Sequence, residues 1–282
     1  MASVQWSLVV FTVLAQAAVG MTLVVATIAA LGVTIGRSFR RALIANTALM
    51  GAALLFSFLH LGNVTRAVYA VSHWRSSWLS REVVLAAIFF ALLVVTAVID
   101  AREGAPERRF GVLLALTVLV GMALVTVMAR VYMVPTVPPW RGPATPVAFA
   151  VTTVLLGASA VLVVSGPGSA PDLEAAGARC LASWLVGAIA AALLLKLGAA
   201  ALLAPRLAGD PVAFPPDPVG GAWRVVVWAA VALGVAALAR WVVAWRRGRP
   251  ARGLALFALV AFFVAEIVER ALFYAAYFRL GV

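Results

Sequence analysis

The chain is poor in the side chains that hold metals and carry covalent catalysis. Its 282 residues include 1 cysteine, Cys180, and 2 histidines, His60 and His73. A single thiol excludes an internal disulfide, and it excludes an iron–sulfur cluster held by this chain alone, which draws on about four thiolates. Zinc takes about three or four His, Cys or carboxylate ligands, and no such grouping is present. A bis-histidine haem needs two facing histidines within the bundle, and His73 falls in a loop. No Ser/His/Asp arrangement stands out. The chain also lacks any polar stretch long enough for a soluble domain, and no positive segment precedes its first apolar run. A cleaved signal peptide is therefore not expected, and Met1–Ala30 is expected to remain as the first span.

What is present is apolar surface. Hydrophobic residues make up 65% of the sequence, and the mean hydropathy is +1.09. Soluble domains sit near half apolar. The expectation is an all-α, polytopic membrane protein, one eight-helix domain covering 1–282. The spans fall at about 5–35, 43–68, 82–100, 109–133, 146–166, 178–204, 222–245 and 252–277. No convincing internal repeat appears.

The net charge is +12, and Lys196 is the one lysine. The arginines sit in short loops at span ends, a membrane-orientation signal that needs no nucleic acid. More of them lie on the side of Arg37–Arg41, Arg102–Arg109, Arg179 and Arg246–Arg252. That side is read as cytoplasmic, which places both termini outside.

The outward loops Tyr69–Arg81, Met133–Thr145 and Pro205–Gly221 are long and rich in Trp, Pro and Phe. An aromatic belt at the interface would by itself explain Trp74, Trp78 and Trp140. Proline and loop length on the same side favour a docking face, with Arg66, His73, Trp74, Arg75, Trp78, Trp140 and Arg141 as candidates.

Ionisable groups inside spans are costly and usually mark function. At 1.5 Å per residue, His60 lies roughly 26 Å into the second span, near the outer surface. Glu82 opens the third span at that level, and Arg130 and Tyr132 close the fourth. Lys196, Glu266, Glu269, Arg270 and Tyr274 fall in the outer halves of the sixth and eighth spans. Gln16, near Gly20, can hydrogen-bond a neighbouring helix. Each residue has a plainer explanation. His60 can be a hydrogen-bonded helix-end histidine, and Glu82 can complement a helix N-terminus. Glu266 and Arg270 can pair at i,i+4, Arg130 can snorkel, and Lys196 can face a water-filled crevice. Their common level is what points to a ligand site. Quinol oxidation suits it. That reaction needs a proton acceptor at one hydroxyl, a polar group at the other, and a slot open to lipid, with His60 and Glu82 as acceptor and proton exit.

Several stretches resemble the membrane anchor subunit of dimethyl sulfoxide reductase. They are FTVLAQAAVG, FLHLGNVTRAVYAV with SWLSREV, MARVYMVPTVPPW followed by TPVAF, and AEIVERALFY. The resemblance covers nearly the whole chain. It implies a complex with a molybdopterin catalytic subunit and a ferredoxin-like subunit carrying four 4Fe–4S clusters, in a bacterial or archaeal cytoplasmic membrane during anaerobic respiration. It implies that the anchor binds menaquinol and passes on its electrons, with no haem or iron–sulfur cluster of its own. It also implies that His60, in the HLG element, and Glu82, in LSRE, shape the quinol site. Lys196 lies where the sixth span departs from the family pattern. Two other functions fit the composition: the same fold reducing quinone with electrons from an outer oxidase or dehydrogenase subunit, and a small-molecule transporter. A transporter calls for a midplane site at broken helices and often inverted repeats, whereas the polar layer here is displaced outward.

Overall fold

The structure, a computed structural model, describes residues 5–31, 36–60, 72–103, 107–134, 137–165, 175–209, 218–249 and 251–279. Eight long helices account for most of them: α1 (Trp6–Ala30), α2 (Gly36–His60), α3 (Trp78–Glu103), α4 (Glu107–Tyr132), α5 (Ala144–Ser165), α6 (Ala175–Gly209), α7 (Pro218–Arg246) and α8 (Arg252–Arg279). A short 3-10 turn, Pro138–Trp140, precedes α5. Among the described residues there is no strand.

Seven of the helices are long and apolar enough to cross a membrane. α8 is long enough at 28 residues, but Glu266, Glu269 and Arg270 interrupt its apolar run. The very groups that make it interesting remove it from a hydropathy count.

The helix ends depart from the expected spans in three informative places. α3 starts at Trp78 rather than 82, because Ser77 caps it: the Ser80 amide donates to the Ser77 hydroxyl at 3.4 Å, the usual N-cap arrangement. Glu82 therefore does not open the helix, contrary to the expectation from sequence. It lies one turn inside it. α2 begins at Gly36, a full two turns ahead of the expected start, because its polar first turns continue the helix outside the apolar segment. α6 runs through Pro205 to Gly209, where the proline suggests a stop at 204. Near a helix end proline removes only one backbone bond.

α1 is the centre of the bundle. It is apolar on all sides, and 83% of its span is buried, as expected of a helix surrounded by others. It packs against α2, α4, α5 and α8. Its closest approach is to α5 at Gly20 and Gly157. A Cβ on Gly20 would lie 1.8 Å from the Thr153 carbonyl oxygen, and one on Gly157 would lie 2.2 Å from the Gly20 carbonyl carbon. Without a hydrophobic driving force between helices in lipid, such small-residue crossings are a main source of association.

Two large apolar clusters fill the bundle, and a small third one joins Val227, Ala230 and Val231 of α7 to Ala265 of α8. Of the large ones, one joins the later part of α1 to α5, α6, α7 and α8, with Trp241 and Phe262 fully buried. The other lies at the Trp6 end, where α1, α3, α4, α5 and α8 contribute Phe11, Phe89, Tyr132, Phe149 and Tyr274. At the opposite end Arg40 pairs with Asp100 at 3.0 Å, joining α2 to α3. Deeper in the bundle, Asn46 donates to the Thr22 hydroxyl at 2.8 Å and ties α2 to α1.

Candidate functional site

Between the two large apolar clusters lies a polar layer built by four helices. α1 and α8 face each other with matching four-residue spacing, so that Thr12 and Gln16 oppose Tyr274 and Arg270. The Tyr274 hydroxyl donates to the Thr12 hydroxyl at 3.5 Å. One turn further in, the Arg270 guanidinium donates to Gln16 Oε1 at 2.9 Å and to the Thr152 hydroxyl of α5 at 3.3 Å. Thr152 in turn donates to Glu266 Oε2 at 2.5 Å. Glu266 Oε1 accepts from Lys196 of α6 at 2.8 Å, and Lys196 also pairs with Glu269.

Glu266 and Arg270 are thus joined through Thr152. The described ion pairs of Glu266 and Glu269 both run to Lys196. Two carboxylates and two cations balance within the layer, as they must where uncompensated charge is expensive. The Arg270 guanidinium also lies 3.8 Å above the centre of the Phe149 ring, a cation–π contact strengthened by exclusion of water. Glu269 is 44% exposed, on the outer side of the layer, while Lys196 and Glu266 are buried.

Towards the Trp6 end the layer gives way to an aromatic cage. The Tyr132 ring sits 5.2 Å from that of Tyr274, 5.7 Å from Phe273 and 5.6 Å from Trp140. The Trp140 indole stacks on Phe273 at 5.0 Å and donates to the Phe273 carbonyl at 2.8 Å. Beside this cage lies Glu82, within electrostatic range of both tyrosine hydroxyls. It is only 2% exposed, and among the described residues neither carboxyl oxygen has a hydrogen-bond partner. Buried polar atoms are nearly always satisfied, and Glu82 is the ionisable exception here.

The residues expected at one level therefore fall into two adjoining groups. Gln16, Lys196, Glu266 and Arg270 form the hydrogen-bonded layer. Glu82, Tyr132 and Tyr274 form a second group, in which a carboxyl without a hydrogen-bond partner among the described residues lies beside packed aromatic rings. Arg130 belongs to neither. It is exposed at the end of α4, with its guanidinium 5.4 Å from the centre of the Trp78 ring. His60 ends α2, and its side chain lies outside the described residues, as does Arg66.

The candidate docking residues divide as well. His73, Trp74, Arg75, Trp78 and Arg141 are on the surface. Arg81 clamps the turn ahead of α3 by donating to the Trp74 carbonyl at 3.0 Å and to the Arg75 carbonyl at 2.6 Å, while its guanidinium lies 4.3 Å from the centre of the Trp78 ring. Trp140, expected among the docking residues, is instead turned inward and 8% exposed. The 3-10 turn points its indole at α8 rather than at solvent.

Thr12, Thr152 and Phe149 are not singled out by sequence. Threonine hydroxyls in apolar helices usually bond their own backbone, as Thr12 does to the Leu8 carbonyl at 3.0 Å. Nothing in the sequence marks Thr12 and Thr152 as threonines that also serve a second helix. A lateral groove of about 310 Å³ opens between α4 and α5, with Leu23 of α1 in its wall, Ala129 and Thr153 at its floor, and Arg130 at one end. Among the described residues no three His, Cys, Asp or Glu side chains converge as a metal site.

This fold and site define a class: a multi-pass, all-helical membrane protein with a buried ionisable layer in one half of its bundle. The family model of the DMSO reductase anchor subunit, DmsC, matches residues 1–276, and the protein belongs to that family. It is 31% identical over 155 residues to the anaerobic dimethyl sulfoxide reductase protein YnfH of Escherichia coli K12, covering 54% of this sequence and 55% of that one. It is 35% identical over 153 residues to an anaerobic dimethyl sulfoxide reductase subunit of Haemophilus influenzae, covering 53% and 54%. In these two matches the protein spans about half the length of the relative. A second anaerobic dimethyl sulfoxide reductase subunit of Escherichia coli K12 is 26% identical over 289 residues, covering 99% and 96%. No solved structure matches the protein.

Proposed function

We propose that this chain is the quinol-oxidising anchor of a DMSO-reductase-type complex, with its site at Glu82. The observation that carries this reading is the Glu82 carboxyl, buried beside Tyr132 and Tyr274 and without a hydrogen-bond partner among the described residues. An acceptor of protons in an apolar bundle must be desolvated yet free to bond a ligand hydroxyl, and Glu82 has both properties. The aromatic cage offers flat apolar walls to a ring system, and the two phenols offer hydroxyls to orient it.

Menaquinol placed here loses two electrons and two protons and leaves as menaquinone. The protons pass by way of Glu82 and His60 to the near surface. The electrons pass to an iron–sulfur partner seated over the turn that carries Trp74, Arg75 and Trp78. That partner is a ferredoxin-like subunit with four 4Fe–4S clusters, which hands electrons to a molybdopterin catalytic subunit. The complex sits in a bacterial or archaeal cytoplasmic membrane, with α8 as the eighth span and both termini outward. The charge-balanced layer of Lys196, Glu266, Glu269 and Arg270 holds α5, α6 and α8 in register behind the site.

Replacing Glu82 with Gln keeps its shape and removes its capacity to accept a proton. Quinol-linked turnover is expected to fall by roughly 10²–10⁴-fold, while assembly and activity with an artificial electron donor persist. Native quinol turnover in Glu82→Gln would refute the assignment.

A further inference from the structure

Within that quinol-oxidising reading, the structure leaves one feature unused: the lateral groove between α4 and α5. Its floor is the buried Val125, Ala129 and Thr153, and its rims are the exposed Thr126 and Ala150. The two threonines add no free polarity. Thr126 donates to the Met122 carbonyl at 2.8 Å, and Thr153 donates to the Phe149 carbonyl at 2.8 Å. Each hydroxyl is turned back on its own helix, so the walls present hydrocarbon. Arg130, the charged lining residue, closes one end.

What lies beyond that end identifies the occupant. Arg130 rests over the Trp78 ring at 5.4 Å. Trp78 and Glu82 are four residues apart on α3 and share one face of it. Tyr132, two residues past Arg130, lies within electrostatic range of Glu82. Arg130 and Trp78 thus bring the groove's charged end to within one turn of α3 of the Glu82 carboxyl. Its volume of about 310 Å³ is at the small end for ligand sites. That suits a length of chain rather than a ring system with its substituents.

We infer that the α4–α5 groove holds the isoprenoid tail of the quinol, with the head group at Glu82 and Arg130 at the junction between them. The groove then acts as a specificity device. It selects quinols by their tails and aligns the chain along α4, so that the ring reaches the carboxyl from the lipid side. An anionic phospholipid, with its phosphate on Arg130 and an acyl chain in the groove, is the competing occupant. It would leave the closeness of the groove's charged end to the Glu82 turn of α3 without a purpose.

The test uses the complex isolated with its native partner subunits and narrows the groove from each rim in turn, with Ala150→Phe and Thr126→Phe. Both positions are exposed to lipid, which spares the core. Oxidation is measured with a quinol bearing a long isoprenoid tail and with the same head group bearing a methyl in its place. The ratio of the two KM values, long over short, is expected to rise roughly tenfold in both variants, the loss that follows when a few methylene-sized contacts are displaced. Bound phospholipid is measured by mass spectrometry on the same samples. A KM ratio that stays within about twofold of the parent value overturns the inference, and loss of a tightly bound phospholipid in that case assigns the groove to lipid. If the parent complex oxidises neither quinol, the quinol reading itself fails, and the groove inference falls with it.

Discussion

The Arg270 guanidinium of α8 donates to Gln16 Oε1 of α1 at 2.9 Å, joining residues 254 positions apart. This bond sets the register of the last helix against the first. Arg270 also donates to Thr152 and covers the Phe149 ring, so a single side chain binds three helices at one depth.

Removing that side chain has a predictable cost. Arg270→Leu strips the layer of one of its two cations and leaves Gln16 and Thr152 without their donor. The expected loss is about 3–5 kcal/mol of resistance to unfolding. Arg270→Lys keeps the charge but loses the planar fork and its contact with Phe149, for an intermediate loss of about 1–2 kcal/mol. Reversible unfolding in mixed micelles would measure both. Equal losses for Leu and Lys would mean that charge plays no part in this position.

The depth of this layer is legible in the sequence, because helices rise uniformly. Counting residues from span ends places Lys196, Glu266 and Arg270 in one slab. Partnership is not legible. The i,i+4 spacing of Glu266 and Arg270 suggests a pair on one helix, yet Lys196 reaches Glu266 from α6 and a threonine from α5 stands between Glu266 and Arg270. Which face of α6 meets α8 depends on rotation about the helix axis. α6 is apolar on every side, so its sequence carries little rotational signal. Trp140 is misplaced by sequence for a related reason. A Pro-Pro-Trp turn looks the same whether its indole faces solvent or an open carbonyl on a neighbouring helix. Sequence locates Glu82 to within a turn, but its burial depends on Ser77 taking over the cap.

The pairing of Lys196 with two carboxylates predicts strong coupling. Lys196→Met leaves Glu266 buried without its cation and is expected to destabilise by about 3–5 kcal/mol. Adding Glu269→Gln to that variant removes one of the two stranded charges and should restore part of the loss. A double-mutant cycle is expected to give a coupling energy of about 1–3 kcal/mol between positions 196 and 269. Additive effects would show that the half-exposed Glu269 is neutralised by its surroundings and not by the lysine.

The α1–α5 crossing admits no added atom. Gly20→Ala places a methyl 1.8 Å from the Thr153 carbonyl oxygen, and Gly157→Ala places one 2.2 Å from the Gly20 backbone. Both contacts are with backbone, so rotamer changes cannot relieve them. Each variant must separate the two helices, at about 3 kcal/mol or more, and separation also pulls Thr152 away from Arg270. Gly187→Ala, where an added Cβ meets nothing within 4 Å, is expected to be neutral or slightly stabilising. Thermal inactivation of the three proteins side by side checks the contrast. A tolerated Gly20→Ala would contradict the crossing.

The surface turn and the inward tryptophan should separate cleanly by phenotype. Trp140→Phe keeps an aromatic ring against Phe273 but leaves the Phe273 carbonyl without its indole donor. The expected consequence is a stability loss of about 1–2 kcal/mol, with co-purification of the partner subunits preserved once temperature is lowered to compensate. Trp74→Ala combined with Arg75→Ala should do the reverse. Both side chains are on the surface, and the Arg81 clamp on this turn uses their backbone carbonyls rather than their side chains. The turn therefore keeps its shape while losing an aromatic and a cationic contact surface. Isolated stability should be within about 0.5 kcal/mol of the parent, and partner retention through purification should drop. Retention equal to the parent would move the docking face away from this turn and towards Arg141 and its neighbours at the start of α5.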